Sequence, residues 1–153
     1  MKISVDKKME ARPVDILLVE DNPGDVRLTR EALRDAKLLN EIYVAKDGVE
    51  AMEFIHREGS FENVPVPDLI LLDLNLPRKD GREVLAEIKK DSKLTRIPVV
   101  ILSSSKADED IIKTYNLHAN AYIIKPVDLN RFVEMMHVLD EFWFTIVKLP
   151  PKE

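Results

Sequence analysis

The chain has 153 residues, a length that fits one domain with a substantial hydrophobic core. Hydrophobic residues make up 45% and charged residues 33%, which excludes a disordered chain, and the net charge of −5 argues against a general nucleic-acid binder. The absence of cysteine excludes disulfides and thiolate metal sites. Because the sequence shows neither a signal-peptide core nor an apolar run long enough to span a membrane, we expect a cytoplasmic protein with no membrane contact.

Short apolar runs alternate with segments that carry apolar residues at helical spacing. Asn22 before Pro23 and Asp128 before the last segment are expected N-caps. In chain order, the pattern predicts a strand at 15–19, a helix at 23–37, a strand at 41–45, a helix at 48–58, a strand at 69–72, a helix at 81–91, a strand at 99–102, a helix at 107–115, a strand at 121–124 and a helix at 128–148.

This alternation is typical of an α/β fold. Apart from Asp15 and Glu41, which begin the first two, the strands are continuously apolar, which indicates a parallel sheet covered by helices on both faces. In such doubly wound sheets, functional sites form beyond the carboxyl ends of the strands, at the switch point in strand order. Functional residues are therefore expected at the carboxyl ends of the strands.

Polar residues stand where four of the predicted strands end. The first strand runs into Glu20 and Asp21, and the third runs into Asp73. The fourth ends at Ser103 and the fifth at Lys125. Three carboxylates at one edge need a counter-charge. Oxygen ligands suit Mg²⁺ better than zinc, and the chain has no cysteine or close histidine pair for a softer site.

Each of these residues alone is also explained by a turn, a cap or a solvated surface position. Their joint occurrence at four strand ends instead favours one phosphoryl-transfer site with a hydroxyl and an ammonium group beside Mg²⁺. The sequence therefore predicts that Mg²⁺ is the cofactor.

Four motifs carry a resemblance to a known family: "LLVEDNP" (17–23), "LILLDLNLPRKDG" (69–81), "IPVVILSSS" (97–105) and "AYIIKP" (121–126). With them, residues 14–140 resemble the receiver domain of a two-component response regulator. "EDNPGDVRLTREAL" and the ending "FWFTIVKLP" are similar to the stand-alone receivers that partner phytochrome-type sensor kinases. The resemblance implies a flavodoxin-like five-stranded parallel sheet of order 2-1-3-4-5, with an N-terminal tail at 1–13 and a C-terminal extension at 141–153.

The resemblance also implies roles for the strand-end acids. Asp73 is implied to be the phosphoacceptor, which takes its phosphoryl group from the phosphohistidine of a sensor histidine kinase. Glu20, Asp21 and Asp73 are implied to hold Mg²⁺, Glu20 through a water molecule, with the backbone carbonyl of Asn75 as a further ligand. We expect no enzymatic activity beyond slow self-catalysed phosphorylation and dephosphorylation.

Lys125 is implied to pair with Asp73 before transfer and with the phosphate after it. Ser103 is implied to donate a hydrogen bond to the phosphate and to vacate space that Tyr122, the switch aromatic of the last strand, fills. The resemblance further implies a cis bond between Lys125 and Pro126.

The residues after Pro126 are too few for a helix-turn-helix, so we expect no output through DNA. The output is instead expected through a partner protein, a change in dimerisation or a relay to another phosphotransfer protein. The stretch "NRFVEMMHVLDEFWFTIVKLP" is apolar on more than one side of a helix. This pattern predicts a homodimer through the C-terminal region, unless the tail folds back over its own domain.

Two other classes of protein remain as less favoured alternatives. A Mg²⁺-dependent phosphatase of the haloacid-dehalogenase type also uses a strand-end aspartate, but it needs a second aspartate where this chain has Asn75. A flavodoxin-like FMN carrier needs a phosphate loop rich in Ser, Thr and Gly where this chain has "EDNPGD". A receiver that works without phosphorylation is disfavoured by the complete set of strand-end residues.

Overall fold

The computed structural model describes residues 13–35, 40–103, 121–125, 128 and 130. The predicted helix at 107–115, nearly all of the one at 128–148, Pro126 with its predicted cis bond, and the predicted dimer region lie outside these residues. None of the described helices has the length and hydropathy of a membrane span.

The described elements are β1 Val14–Val19, α1 Pro23–Asp35, β2 Asn40–Ala45, α2 Gly48–His56, a 3₁₀-helix at Gly59–Phe61, β3 Leu69–Asp73, α3 Gly81–Lys90, β4 Val99–Ser103 and β5 Ala121–Ile124.

The five strands form one parallel sheet in the order β2-β1-β3-β4-β5, which confirms the expected flavodoxin-like topology. In the register, Val19 lies between Ala45 of β2 and Leu72 of β3, and Asp73 lies beside Leu102 of β4. The carboxyl ends of neighbouring strands therefore reach the same edge of the sheet. The strand order reverses between β1 and β3, so the switch point lies at that edge.

Both faces of the sheet are buried, as the continuous apolar strands predict. Leu17 and Val19 belong to a cluster that packs on α2 and α3, whereas Ile16 and Leu18 belong to a cluster that packs on α1. Each fully buried Leu or Ile side chain stabilises the fold by about 1.5–3 kcal/mol. The helix residues in the first cluster are Ala51, Met52, Phe54, Ile55, Val84, Leu85 and Ile88, and those in the second are Ala32 and Leu33.

Local capping determines where the helices begin. Asn22 is confirmed as the N-cap of α1, because its Oδ1 accepts a hydrogen bond from the N–H of Asp25 at 3.1 Å. Pro23 takes the first helical position, where no N–H is needed. Asp80 and Glu83 form a reciprocal capping box at the start of α3. These caps place the first turns of α1 and α3 beside the carboxyl edge of the sheet.

Helix α2 ends at His56, two residues before the predicted end at Glu58. Arg57 takes the left-handed conformation with a φ of 56° and donates its N–H to the carbonyl of Phe54. Glu58 donates its N–H to the carbonyl of Glu53 at 2.9 Å, so the last carbonyls of the helix are satisfied.

Two glycines let helices begin against the loop that follows β3. A Cβ atom on Gly81 would overlap the backbone carbonyl oxygen of Asp73, and one on Gly48 would overlap that of Lys79. Any side chain at either position would therefore push its helix away from the loop. As a result, α3 starts directly against the backbone of the last residue of β3.

An ion pair joins the loops after β2 and β3. Asp47 caps α2 by accepting the N–H of Glu50 at 2.8 Å, and its Oδ2 accepts the Nε–H of Arg78 at 2.8 Å. Burial alone would raise the pKa of Asp47, but the hydrogen bonds from Glu50 and Arg78 outweigh it and hold the pKa below its ordinary value.

We expect Asp47→Asn to lower the free energy of unfolding by about 0.5–1 kcal/mol at pH 7, because the amide still caps α2 but loses the pair with the exposed Arg78. The folded-state pKa of Asp47 is lowered, so the charged carboxylate adds stability above its unfolded pKa near 3.8. This contribution is lost as the pH falls through the folded-state pKa. Urea unfolding should therefore show a gap between wild type and variant that narrows below about pH 4. A constant gap would contradict the assignment.

Candidate functional site

The predicted site residues lie at one edge of the sheet. Glu20 directly follows β1, and its N–H donates to the carbonyl of Ala45 at 2.9 Å. Asp73 and Ser103 are the buried last residues of β3 and β4. Lys125 directly follows β5, and its N–H donates to the carbonyl of Ser103 at 2.7 Å. The topology thus brings together residues that are more than 100 positions apart in the sequence.

The ammonium group of Lys125 lies at the centre of the site. Its Nζ donates hydrogen bonds to Asp73 Oδ2 at 2.9 Å and to Asp25 Oδ2 at 3.0 Å, and it lies 2.7 Å from Glu20 Oε1. Burial alone would lower the pKa of Lys125, but its contacts with the three carboxylates raise it above its ordinary value. Lys125 is therefore a permanent cation at this edge.

Glu20 is a buried carboxylate whose charge is only partly offset. Its Oε2 accepts the N–H of Asn22 at 3.2 Å. Within the described residues, its buried Oε1 receives no hydrogen bond of good geometry and has only the ion pair with Lys125. Burial, with a further contribution from the charge of Asp73, raises the pKa of Glu20 to about 7, although Lys125 opposes the shift. A second cation beside Glu20 would stabilise the charged form of this buried carboxylate.

Three acids at this edge have the arrangement of a cation site. One carboxylate oxygen from each of Glu20, Asp21 and Asp73 can lie within 4.8 Å of the others. Asp21 is exposed, which leaves one side open to water, and Asp73 Oδ1 is held by the N–H of Asn75 at 3.1 Å. Hard oxygen ligands and an under-satisfied buried carboxylate fit a divalent cation such as Mg²⁺.

The structure adds Asp25 to the set expected from sequence. Asp25 is the third residue of α1, where the sequence indicates only an acid that suits the start of a helix. No other feature of the local sequence marks it as a partner of Lys125. Tyr122 lies in β5 and pairs with Ile101, but its side chain is outside what the structure describes.

Known proteins are similar to this chain in sequence and in fold. Residues 16–137 match the family model of the response regulator receiver domain. Response regulator Rcp1 of Synechocystis sp. is 48% identical over 138 residues, which cover 90% of this chain and 94% of Rcp1. The Mn²⁺-bound structure of Rcp1 gives a TM-score of 0.73 with 47% identity, and the match covers 91% of this chain and all of that one.

Two further solved structures are similar. The bacteriophytochrome response regulator AtBRR gives a TM-score of 0.80 with 45% identity, covering 86% of this chain and 96% of that one. The phosphorylated cyanobacterial phytochrome response regulator RcpA gives a TM-score of 0.74 with 48% identity, covering 92% of this chain and all of that one. These matches set aside the phosphatase and FMN-carrier alternatives. The chain belongs to the family of response regulator receiver domains.

Proposed function

We propose that Asp73 is the phosphoacceptor of this receiver and takes a phosphoryl group from a sensor histidine kinase. The observation that carries the proposal is the buried carboxylate of Asp73, held 2.9 Å from the ammonium of Lys125 at the switch point of the sheet. A carboxylate oxygen of Asp73 attacks phosphorus, and an O–P bond forms as the N–P bond of the phosphohistidine breaks. The electron pair of the broken bond returns to the imidazole.

Glu20, Asp21 and Asp73 are the residues that would hold Mg²⁺, with the backbone carbonyl of Asn75 as a further ligand. When bound, the ion offsets negative charge on the oxygens of the transferring phosphoryl group. The Mn²⁺-bound structure of Rcp1 supports a divalent cation in this family. The oxygen-only donor set and the under-satisfied Oε1 of Glu20 support one in this chain.

Two further side chains complete the proposed chemistry. The ammonium of Lys125 donates a hydrogen bond to Asp73 before transfer and to a phosphoryl oxygen afterwards. The flexible lysine side chain allows this change of partner. The hydroxyl of Ser103, at the end of β4, donates a hydrogen bond to a second phosphoryl oxygen. Movement of Ser103 towards the phosphate, followed by Tyr122, would alter the surface that downstream proteins meet.

The proposed kinase partner is of the phytochrome type. Support comes from relatives described as phytochrome and bacteriophytochrome response regulators, which match nearly their whole length to this chain.

We further propose a receiver unit at 14–140, a tail at 1–13 and a homodimer contact at 141–153, from the apolar C-terminal sequence. Light scattering on the full chain and on a chain cut after Glu141 tests this contact. A monomeric full chain, with and without phosphorylation, would refute it.

The phosphoacceptor function is tested with acetyl phosphate as donor. Intact-mass measurement should show one added phosphoryl group per chain with Mg²⁺ present, and none when EDTA removes the metal. The same protein should accept phosphate from a purified phytochrome-type kinase. No mass gain from either donor would overturn the proposal.

A further inference from the structure

Asp25 contacts Lys125, yet the proposed phosphoryl transfer gives it no role. Within the described residues, the carboxylates in contact with this ammonium are Glu20, Asp73 and Asp25. Glu20 and Asp73 are accounted for as a metal ligand and as the phosphoacceptor. The bond from Nζ to Asp25, at 3.0 Å, is nearly as short as the bond to Asp73, at 2.9 Å. The two aspartates therefore share one cation.

Helix α1 holds Asp25 in place. The backbone N–H of Asp25 donates to Asn22 Oδ1 at 3.1 Å, and its carbonyl accepts the hydroxyl of Thr29 at 2.9 Å. An acid in the first turn of a helix is stabilised by the helix dipole without any lysine nearby. The dipole does not explain why the carboxylate meets Lys125, which is 100 residues further along the chain.

The charges around Lys125 make Asp25 a competitor of the phosphoryl group. With Mg²⁺ bound, the negative charges of Glu20, Asp21 and Asp73 balance the two charges of the ion and the one of Lys125. Among the charges of this cluster in the described residues, Asp25 then adds one negative charge beyond that balance, at a position that is 31% exposed. The phosphoryl group brings more negative charge and needs the same N–H donors. Asp25 therefore opposes the arrival of the phosphoryl group through its negative charge and by occupying an N–H donor of Lys125.

We infer that Asp25 restrains phosphorylation of Asp73 by retaining Lys125 and by adding negative charge beside the phosphoryl group. Asp25 is a positioning residue, because it acts through the ammonium of Lys125 and not on the reacting atoms. This inference rests on the proposed phosphoacceptor function of Asp73. It predicts that a neutral residue at this position favours the phosphorylated form.

The test compares wild type with Asp25→Asn, which keeps the size of the side chain but cannot form an ion pair. Asp25→Ser is a second neutral variant, and Asp25→Glu restores the charge. Glu31→Gln is the matched control, because Glu31 is exposed on the same helix and loses the same charge. Phosphorylation by acetyl phosphate is followed by intact mass over time at saturating Mg²⁺, and Mg²⁺ affinity is measured by calorimetry.

We expect both neutral variants to be phosphorylated about threefold to fivefold faster than wild type, the effect of removing one partly exposed ion pair. Their Mg²⁺ affinity should fall slightly, because a negative charge near the cation is lost. A faster phosphorylation rate together with a lower Mg²⁺ affinity distinguishes the inference from general damage to the site. Such damage would lower both the rate and the affinity. Asp25→Glu and Glu31→Gln should stay within about twofold of wild type in rate, since both keep a charged partner for Lys125.

An unchanged or slower rate in the neutral variants, with wild type normally phosphorylated, would overturn the role of Asp25 alone. Equal acceleration by Glu31→Gln would also overturn it, because the effect would then come from the net charge of the protein. A wild-type chain that gains no phosphoryl group would overturn the phosphoacceptor function, and the role of Asp25 with it.

Discussion

The Asp73→Asn variant is expected to gain no phosphoryl group from acetyl phosphate or from a sensor kinase. An amide is a much weaker nucleophile than a carboxylate, and it also removes one negative charge from the set of acids that would hold Mg²⁺. The substitution preserves the size of the side chain, and the amide oxygen can still accept the N–H of Asn75. The loss should therefore be chemical, with the fold intact.

Intact mass after incubation with donor and Mg²⁺ measures this loss, and Asp91→Asn provides the control. Asp91 is the C-cap of α3 and accepts the N–H of Lys93, so its amide variant changes the charge of the protein without touching the site. The control should be phosphorylated at the wild-type level. A phosphoryl group that persists on the Asp73→Asn chain would refute the assignment, and peptide mapping would then locate the true acceptor.

Lys125→Met should lower the free energy of unfolding by about 3 kcal/mol in the absence of metal. The change leaves the carboxylates of Glu20 and Asp73 buried without their ammonium partner, and unpaired buried charge is costly. Uptake of a proton limits the cost, because burial already raises the pKa of Glu20 to about 7. Mg²⁺ should recover part of the loss, since the ion replaces the missing positive charge.

Urea unfolding with and without Mg²⁺ measures this effect, and Lys89→Met is the matched control. Lys89 is also partly buried, but its ammonium donates to the backbone carbonyls of Thr95 and Ile97. Its loss should cost about 1 kcal/mol and should not respond to Mg²⁺. The assignment would be wrong if both variants lost the same free energy of unfolding and neither responded to Mg²⁺. The ion pairs of Lys125 would then stabilise the fold no more than the hydrogen bonds of Lys89 do.

The strands and the strand-end acids could be read from the sequence because they depend on local pattern. Continuous apolar runs placed all five strands to within one residue, since burial on both faces leaves no room for polar alternation. The carboxyl ends of parallel strands lie at one edge of the sheet, so the same pattern predicts that Glu20, Asp73 and Lys125 lie close together.

The contacts that the sequence missed depend on tertiary geometry. Nothing local marks Asp25 as a partner of Lys125, because an acid at the start of a helix already has a sufficient explanation. The pair between Asp47 and Arg78 joins two loops, and Arg78 takes a left-handed φ of 62° that its residue type does not signal. The early end of α2 has the same origin, since Arg57 stands where a glycine is usual.

Helices α2 and α3 pack closely against the loop after β3, so this region contains two kinds of position. Some positions cannot accept a larger residue, and others carry exposed side chains that can be substituted. Gly48 and Gly81 have no space for even a methyl group, whereas the side chains of Asn75 and Pro77 face solvent. A library directed at the two exposed positions would change what an incoming partner meets without shifting the backbone of Asp73. Selection for a new cognate partner can therefore act on this loop while the chemistry at the end of β3 stays intact.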